Sequence, residues 1–262
     1  MSFTIYLLKT PIFKLCFFMY LLNSKSVRAG LFFSTTKYLG IKTLRRDEGV
    51  MMEGEDKLMT VLAESFLNGK VVSIIDNDIS SFTYLLALRS LRTLLEDGKY
   101  VWAVSYEPLQ SLFRDFRRVG VDYMKYLGRN LYVLDVFGSM RRVDSGLDGV
   151  FVLSGYLDDR VFVLKYKTLI EELLSKLSPN EVIVLGYLES GMCRLFDNPV
   201  RTQKLLWNLR EEAGIRTAEI ITYIKSECPA LEEFIYLYSD YVFEGVIGNG
   251  LRSVIMTKGD GE

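Results

Sequence analysis

The sequence contains no histidine. Ser-His-Asp and Cys-His catalysis, imidazole metal sites and the HExxH zinc signature are therefore excluded by composition. Cysteine is scarce: Cys16, Cys193 and Cys228 lie far apart, and none belongs to a CxxC pair. That pattern argues against a zinc knuckle or a disulfide scaffold, and sets the expectation of free thiols in a reduced, cytoplasmic protein. There are five prolines in 262 residues and no low-complexity tract, so no linker stands out. Positive charge is not in excess either, the net charge being −1, and nucleic acid is not an expected partner.

The chain is 49% hydrophobic and 25% charged, ordinary for a globular protein with a substantial core. Its charge is uneven. Residues 1–50 hold eight Lys/Arg against two Asp/Glu, and residues 51–262 hold 24 against 31. The basic segment opens with "FTIYLLKTPIFKLCFFMYLL", where Lys9, Pro11 and Lys14 interrupt the ~20 apolar residues that a spanning helix needs. As a signal peptide it lacks a small-residue cleavage site, with Arg28 in the way. The codons of Glu48-Gly49-Val50 can spell a purine-rich ribosome-binding sequence just ahead of Met51 and Met52. Residues 1–50 are therefore read as a basic, apolar leader or weak membrane anchor, and residues 51–262 as one domain. A membrane is a partner only if the leader is part of the native protein.

From Met51 onward, helical and strand periods alternate. Leu58, Val61, Leu62 and Leu67 share helical spacing and stop at Asn68-Gly69. "VVSII" is a β-branched strand, "TYLLALRSLRTLLEDG" an amphipathic helix, and "YVWAVSY" a strand. "LQSLFRDFRRVG" is a helix carrying Arg114, Arg117 and Arg118, an ordinary solvated face in an acidic domain. "NLYVLDVF" is a third strand. Residues 138–160 read as irregular, with one short strand at "VFVL". Then come "KTLIEELLSKL" (helix), "EVIVLGYL" (strand), "TQKLLWNLREEAG" (helix), "TAEIITYI" (strand) and "ALEEFIYLYS" (helix). "YVFEGVI" and "RSVIMTK" close the chain as a hairpin around "GNG". The pattern predicts an α/β fold: a mostly parallel sheet with helices on both faces, three layers in all, and an antiparallel C-terminal edge.

This order of elements resembles the RecA-type core, and in detail the KaiC-like P-loop ATPases common in archaea. The resemblance spans about residues 53–260, through "FRRVGVDYMKYLGRNLYVLD" and "YSDYVFEGVI" as well as the order itself. In that family the first strand runs into G-x-P-G-S-G-K-T-T and then a long helix. The corresponding stretch here is "DNDISSFTY". Asp76 stands at the first glycine, Ser81 at the third, Phe82 at the lysine, and Thr83 at a threonine. Glu107 in "WAVSYEP" matches the family's acidic position, and Gly186 in "VIVLGYL" stands where its Walker B aspartate is expected. The resemblance thus implies a degenerate phosphate loop comprising Asp76, Asp78, Ser80, Ser81, Phe82 and Thr83.

A P-loop works because glycines let backbone N–H groups close on the phosphates while a lysine and a Walker B carboxylate neutralise charge and hold Mg²⁺. With those residues gone, the expectation is a pseudo-ATPase, without cofactor or catalytic residues, acting as a regulatory or scaffolding protein. Its expected partner is another protein or a second copy of itself. The structural counterpart is that Asp76 and Asp78 cap a turn, Ser80 or Ser81 caps the helix, and Phe82 packs. Two alternatives stay open. A KaiC-like protein could bind nucleotide without hydrolysing it. Alternatively, "VVSIIDNDIS" fits the hhhhDxDx(T/S) opening of haloacid-dehalogenase-type phosphohydrolases. Asp76 would then be the nucleophile, Asp78 the acid/base, Ser105 the second-motif hydroxyl, and Asp158 and Asp159 ligands of Mg²⁺. For the leader, a chain beginning at Met52 is expected to melt as cooperatively as the full chain and to be more soluble. Loss of the cooperative calorimetric transition, or a peptide from residues 1–50 on the native protein, would refute that.

Overall fold

A computed structural model describes residues 58–259 apart from 67, 176, 178–180, 213–216 and 249–250, so the leader, Leu67 and the "NG" of the hairpin turn lie outside the described residues. Helix α1 covers residues 58–66. Strand β1 (Val71–Asp76) is followed by α2 (Tyr84–Glu96), β2 (Tyr100–Ser105), α3 (Leu109–Arg118), β3 (Leu131–Asp135), α4 (Val136–Arg141) and β4 (Val150–Phe151). Then come α5 (Asp159–Leu174), β5 (Val182–Tyr187), α6 (Pro199–Glu212), β6 (Ala218–Ile224), α7 (Glu232–Tyr238), β7 (Tyr241–Gly248) and β8 (Leu251–Lys258).

Among the described residues the strands form one eight-stranded sheet in the order β4-β3-β2-β5-β6-β1-β7-β8. Every pair is parallel except β7 and β8, which run antiparallel with Gly248 opposite Leu251. The expected sheet, its layers and its antiparallel edge are all present. Central strands are buried on both faces, which is why "VVSII" and "VIVL" read as unbroken apolar runs. Alternation then sorts the core. Val72, Ile74, Ile183, Leu185 and Tyr187 pack with α1, α2 and α3, while Val71, Ile75, Val182 and Val184 pack with α5, α6 and α7. Each fully buried aliphatic side chain contributes about 1.5–3 kcal/mol.

Three expectations need correction. Residues 138–160 are not wholly irregular, because β3 stops at Asp135 and α4 begins at Val136. The Asp135 carboxylate accepts the Gly138 N–H at 2.7 Å, a cap hidden by the poor helix formers Val136 and Gly138. Helix α5 starts eight residues before Lys167, where Asp158 accepts the Val161 N–H at 2.8 Å. The cysteines are the third correction: Cys193 and Cys228 form a disulfide, with Cα atoms 5.6 Å apart. Parallel pairing of β5 with β6 brings the loops after them together, a proximity that a separation of 35 residues conceals. No helix among the described residues is long and apolar enough to cross a membrane.

Closing a loop of this length restricts the unfolded chain by about 3–4 kcal/mol. Thiol titration of the denatured, unreduced full-length chain should therefore find one free thiol, Cys16, and three after reduction, with a lower melting temperature in reductant. Three free thiols in the untreated protein would contradict the pairing.

Candidate functional site

Strand β1 delivers Asp76 to its C-terminal end, between β6 and β7, where its side chain is fully buried. The chain then turns through a single 3-10 turn, Ile79–Ser81, before entering α2. Asp78, exposed, caps that turn by accepting the Ser80 N–H at 2.8 Å, and this bonding with Ser80 lowers its pKa. Phe82 closes the turn in the left-handed region (φ 54°), unusual for a bulky side chain. The turn folds back onto Asp76. One carboxylate oxygen accepts from the Ser81 hydroxyl at 2.6 Å and the Thr83 N–H at 3.0 Å, and the other accepts the Tyr84 N–H at 3.0 Å.

Those two N–H groups open α2. They are the donors an anion would use at a helix N-terminus, and the chain's own carboxylate has taken them. Burial pushes the Asp76 pKa up, and the hydrogen bonds from Ser81, Tyr84 and Thr83 oppose it. Neither Ser80 nor Ser81 caps α2. Asp76 does so from eight residues upstream of Tyr84. On the other side of Asp76 its register partner on β7 is Gly245, and a Cβ there would collide with Thr83 Oγ1 and Asp76 Oδ1. The position therefore requires glycine.

Phe82 has two guanidinium groups against its ring, Arg118 at 4.9 Å and Arg252 at 5.0 Å from the centroid. Behind it lies a buried relay. Asp115 on α3 accepts the Tyr84 hydroxyl at 2.9 Å and the Tyr187 hydroxyl at 2.7 Å, while Arg118 and Arg114 approach its other oxygen at 3.3 and 3.5 Å. Burial first, and then the Asp115 charge, push both phenols well above their ordinary 10.0. Asp115, Tyr84 and Tyr187 were not among the expected site residues. The signal was available: Asp115 lies among Leu112, Phe113 and Phe116 on the apolar face of α3.

Gly186 sits on the opposite face of β5 from α2. Its Cα is covered by the Glu189 carboxylate, which Gln203 also bonds at 2.7 Å beside a cavity of about 20 Å³. The β5 side chain that faces α2 is Tyr187. Ser105 donates to the Glu107 carbonyl at 2.9 Å, and Glu107 pairs with Arg194. Arg194 also approaches Glu227 at 3.7 Å, so ion pairs accompany the disulfide in joining the loops after β2, β5 and β6. Asp158 caps α5, and Asp159 ties α5 to α6 through the Asn198 N–H (2.9 Å) and the Thr202 hydroxyl (2.9 Å). Neither is bonded to Asp76 or Asp78. Among the described residues no group of three or more Cys, Asp or Glu is placed to hold a metal ion.

No protein-family model matches the sequence, and no curated protein is similar to it. Solved structures do match. An uncharacterized protein, PH0321 of Pyrococcus horikoshii, crystallised with an unknown peptide, superposes with a TM-score of 0.63 at 22% identity, covering 73% of this chain and 85% of that one. The flagellar accessory protein FlaH of Methanocaldococcus jannaschii gives 0.50 at 13%, covering 73% and 79%. A KaiC-like protein of Pyrococcus horikoshii, PH0186, gives 0.49 at 16%, covering 74% and 80%. The architecture, a mostly parallel α/β sheet with an antiparallel edge, is the fold shared with PH0321.

Asp76→Asn is expected to cost about 1–3 kcal/mol, because an amide cannot accept from all three donors. The pH dependence has a definite sign. With its folded pKa above 3.8, Asp76 contributes stability that is complete below 3.8 and is lost as pH rises through the folded value. The stability gap between wild type and variant should therefore widen on acidification in urea titrations. A gap independent of pH would show that Asp76 does not titrate in this window.

Proposed function

We propose that this chain is a RecA/KaiC-like domain that has given up nucleotide chemistry at the loop after β1 and acts by binding another protein, as a regulatory or scaffolding component. One observation carries the reading: the Asp76 carboxylate occupies the N–H donors at the start of α2 where the fold would otherwise receive a phosphate. The family's MgATP does not fit the residues present. A phosphate ~4 Å from that carboxylate meets a repulsion of about 1 kcal/mol in water, rising to about 4 at an effective dielectric of 20. Phe82 supplies no charge where a lysine would, and Gly186 offers no carboxylate on the α2 side. Thr83, the remaining Mg²⁺-type hydroxyl, is buried against Gly245.

The phosphohydrolase alternative draws no support from the same geometry. A nucleophilic Asp76 needs an accessible lone pair, yet the residue is fully buried with both oxygens engaged. The peptide bound by PH0321 is in keeping with a protein partner for this chain. A cytoplasmic setting belongs to the proposal, and the Cys193–Cys228 pair bears on it, since reduced glutathione opens most disulfides in mesophilic cytosol.

Millimolar MgATP is expected to leave the melting temperature unchanged. Ligand at a hundred times its Kd would add ~2.7 kcal/mol, a shift of several degrees for a domain of this size. A saturable shift without hydrolysis would replace this reading with nucleotide binding. Turnover of a generic phosphate ester with Mg²⁺, abolished by Asp76→Asn, would replace it with the phosphohydrolase.

A further inference from the structure

The face of β5 turned away from α2 carries a small polar chamber. Gly186 has no side chain there, and the Glu189 carboxylate folds back over its Cα, where a Cβ would collide with it. A cavity of about 20 Å³ lies beside that carboxylate, between the sheet and α6. Tyr106 after β2, Glu189 after β5, Gln203 on α6 and Glu219 on β6 bring polar groups to its wall. Each of these residues is more than nine-tenths buried.

Gln203 supplies the atom that asks for a ligand. Its Nε2 donates to Glu189 Oε2 at 2.7 Å, and because an amide oxygen cannot donate, that bond fixes which way the amide faces. Oε1 is then left buried with no hydrogen-bond partner among the described residues. Buried acceptors in that condition are rare in folded proteins and point to a bound donor. The donor has to be small. A buried water needs about 10–15 Å³, so this cavity takes one with little to spare. A water also needs two to four polar partners, and the wall offers them. Burial, and then the Glu189 charge, hold the Tyr106 phenol protonated as a donor. The two carboxyl groups can each accept from more than one donor, so neither has to lack other partners.

We propose that this cavity is a binding site for a single ordered water, which donates one hydrogen to Gln203 Oε1 and the other to a carboxyl group of the wall, bridging α6 to the sheet. The ligand set favours water over a metal ion. Calcium takes six to eight oxygens and magnesium keeps several waters of its own, for which a space of this size has no room. The site depends on glycine at position 186, since a side chain there would displace the Glu189 carboxylate that orients Gln203. It lies on the face of the sheet away from the Asp76 turn and α2, and stands apart from the nucleotide reading above.

A high-resolution crystal structure of the full chain should show one solvent peak within hydrogen-bond distance of Gln203 Oε1. A crystal soaked in thallium, which replaces monovalent cations, should show no anomalous signal there. In solution, oxygen-17 relaxation dispersion counts long-lived internal waters. That count is expected to fall by one in Gln203→Met, which removes the acceptor and fills the space with an apolar side chain of similar length. A chamber without density, a thallium peak in it, or an unchanged water count in folded Gln203→Met would each overturn the proposal. Should that variant fail to fold, the wild-type crystals decide the matter alone.

Discussion

Much of the local architecture depends on a single buried carboxyl group. Asp76 ends the central strand β1, and its carboxylate holds the first N–H groups of α2, so strand, turn and helix are locked by one side chain. An ionised carboxylate with little water around it is costly, and three donors offset that cost in part. Two further features follow. Residue 245 must lack a side chain for β7 to lie beside the carboxylate, and Phe82 takes up a left-handed backbone so that the chain can reverse within a few residues. A helix N-terminus that would attract an external anion is thereby satisfied from within.

The neighbouring loops are closed in a comparable way. Those after β2, β5 and β6 are joined by Arg194 with Glu107 and Glu227, and by the disulfide. Asp115 draws α2, α3 and β5 together through two phenols. The carboxylates of Glu107, Asp115 and Glu227 are thus turned toward neighbouring side chains of the same rim.

The fold was largely legible in the sequence because strand and helix periods alternate and the last two strands flank a turn signal. The exceptions are instructive. The tetrapeptide Val-Phe-Val-Leu occurs at residues 150–153 and at residues 161–164. The first occurrence supplies the short edge strand β4, and the second lies within α5, burying Phe162 and Val163 and exposing Leu164. Local propensity is identical; the Asp158 cap and packing against α6 decide between them. Of the candidate site, position was legible and direction was not. Asp76 could be placed in a turn after a strand, but not as the cap of the following helix. Gly186 could be placed on β5, but the face it occupies depends on a register no motif contains. The disulfide and the Asp115 relay join residues distant in sequence, beyond the reach of any local pattern.

The Asp115 relay has an optical consequence. Phenols absorb differently once ionised, and those on the surface do so in mild alkali. Tyr84 and Tyr187 are kept protonated far beyond that range by burial and by the charge between them. They stay spectroscopically silent for as long as α2, α3 and β5 remain packed together. A late rise in phenolate absorbance, after the exposed tyrosines have titrated, would therefore report the opening of the buried interior, this junction together with Tyr106 and Tyr223, which burial also holds well above the ordinary phenol range, without any added label.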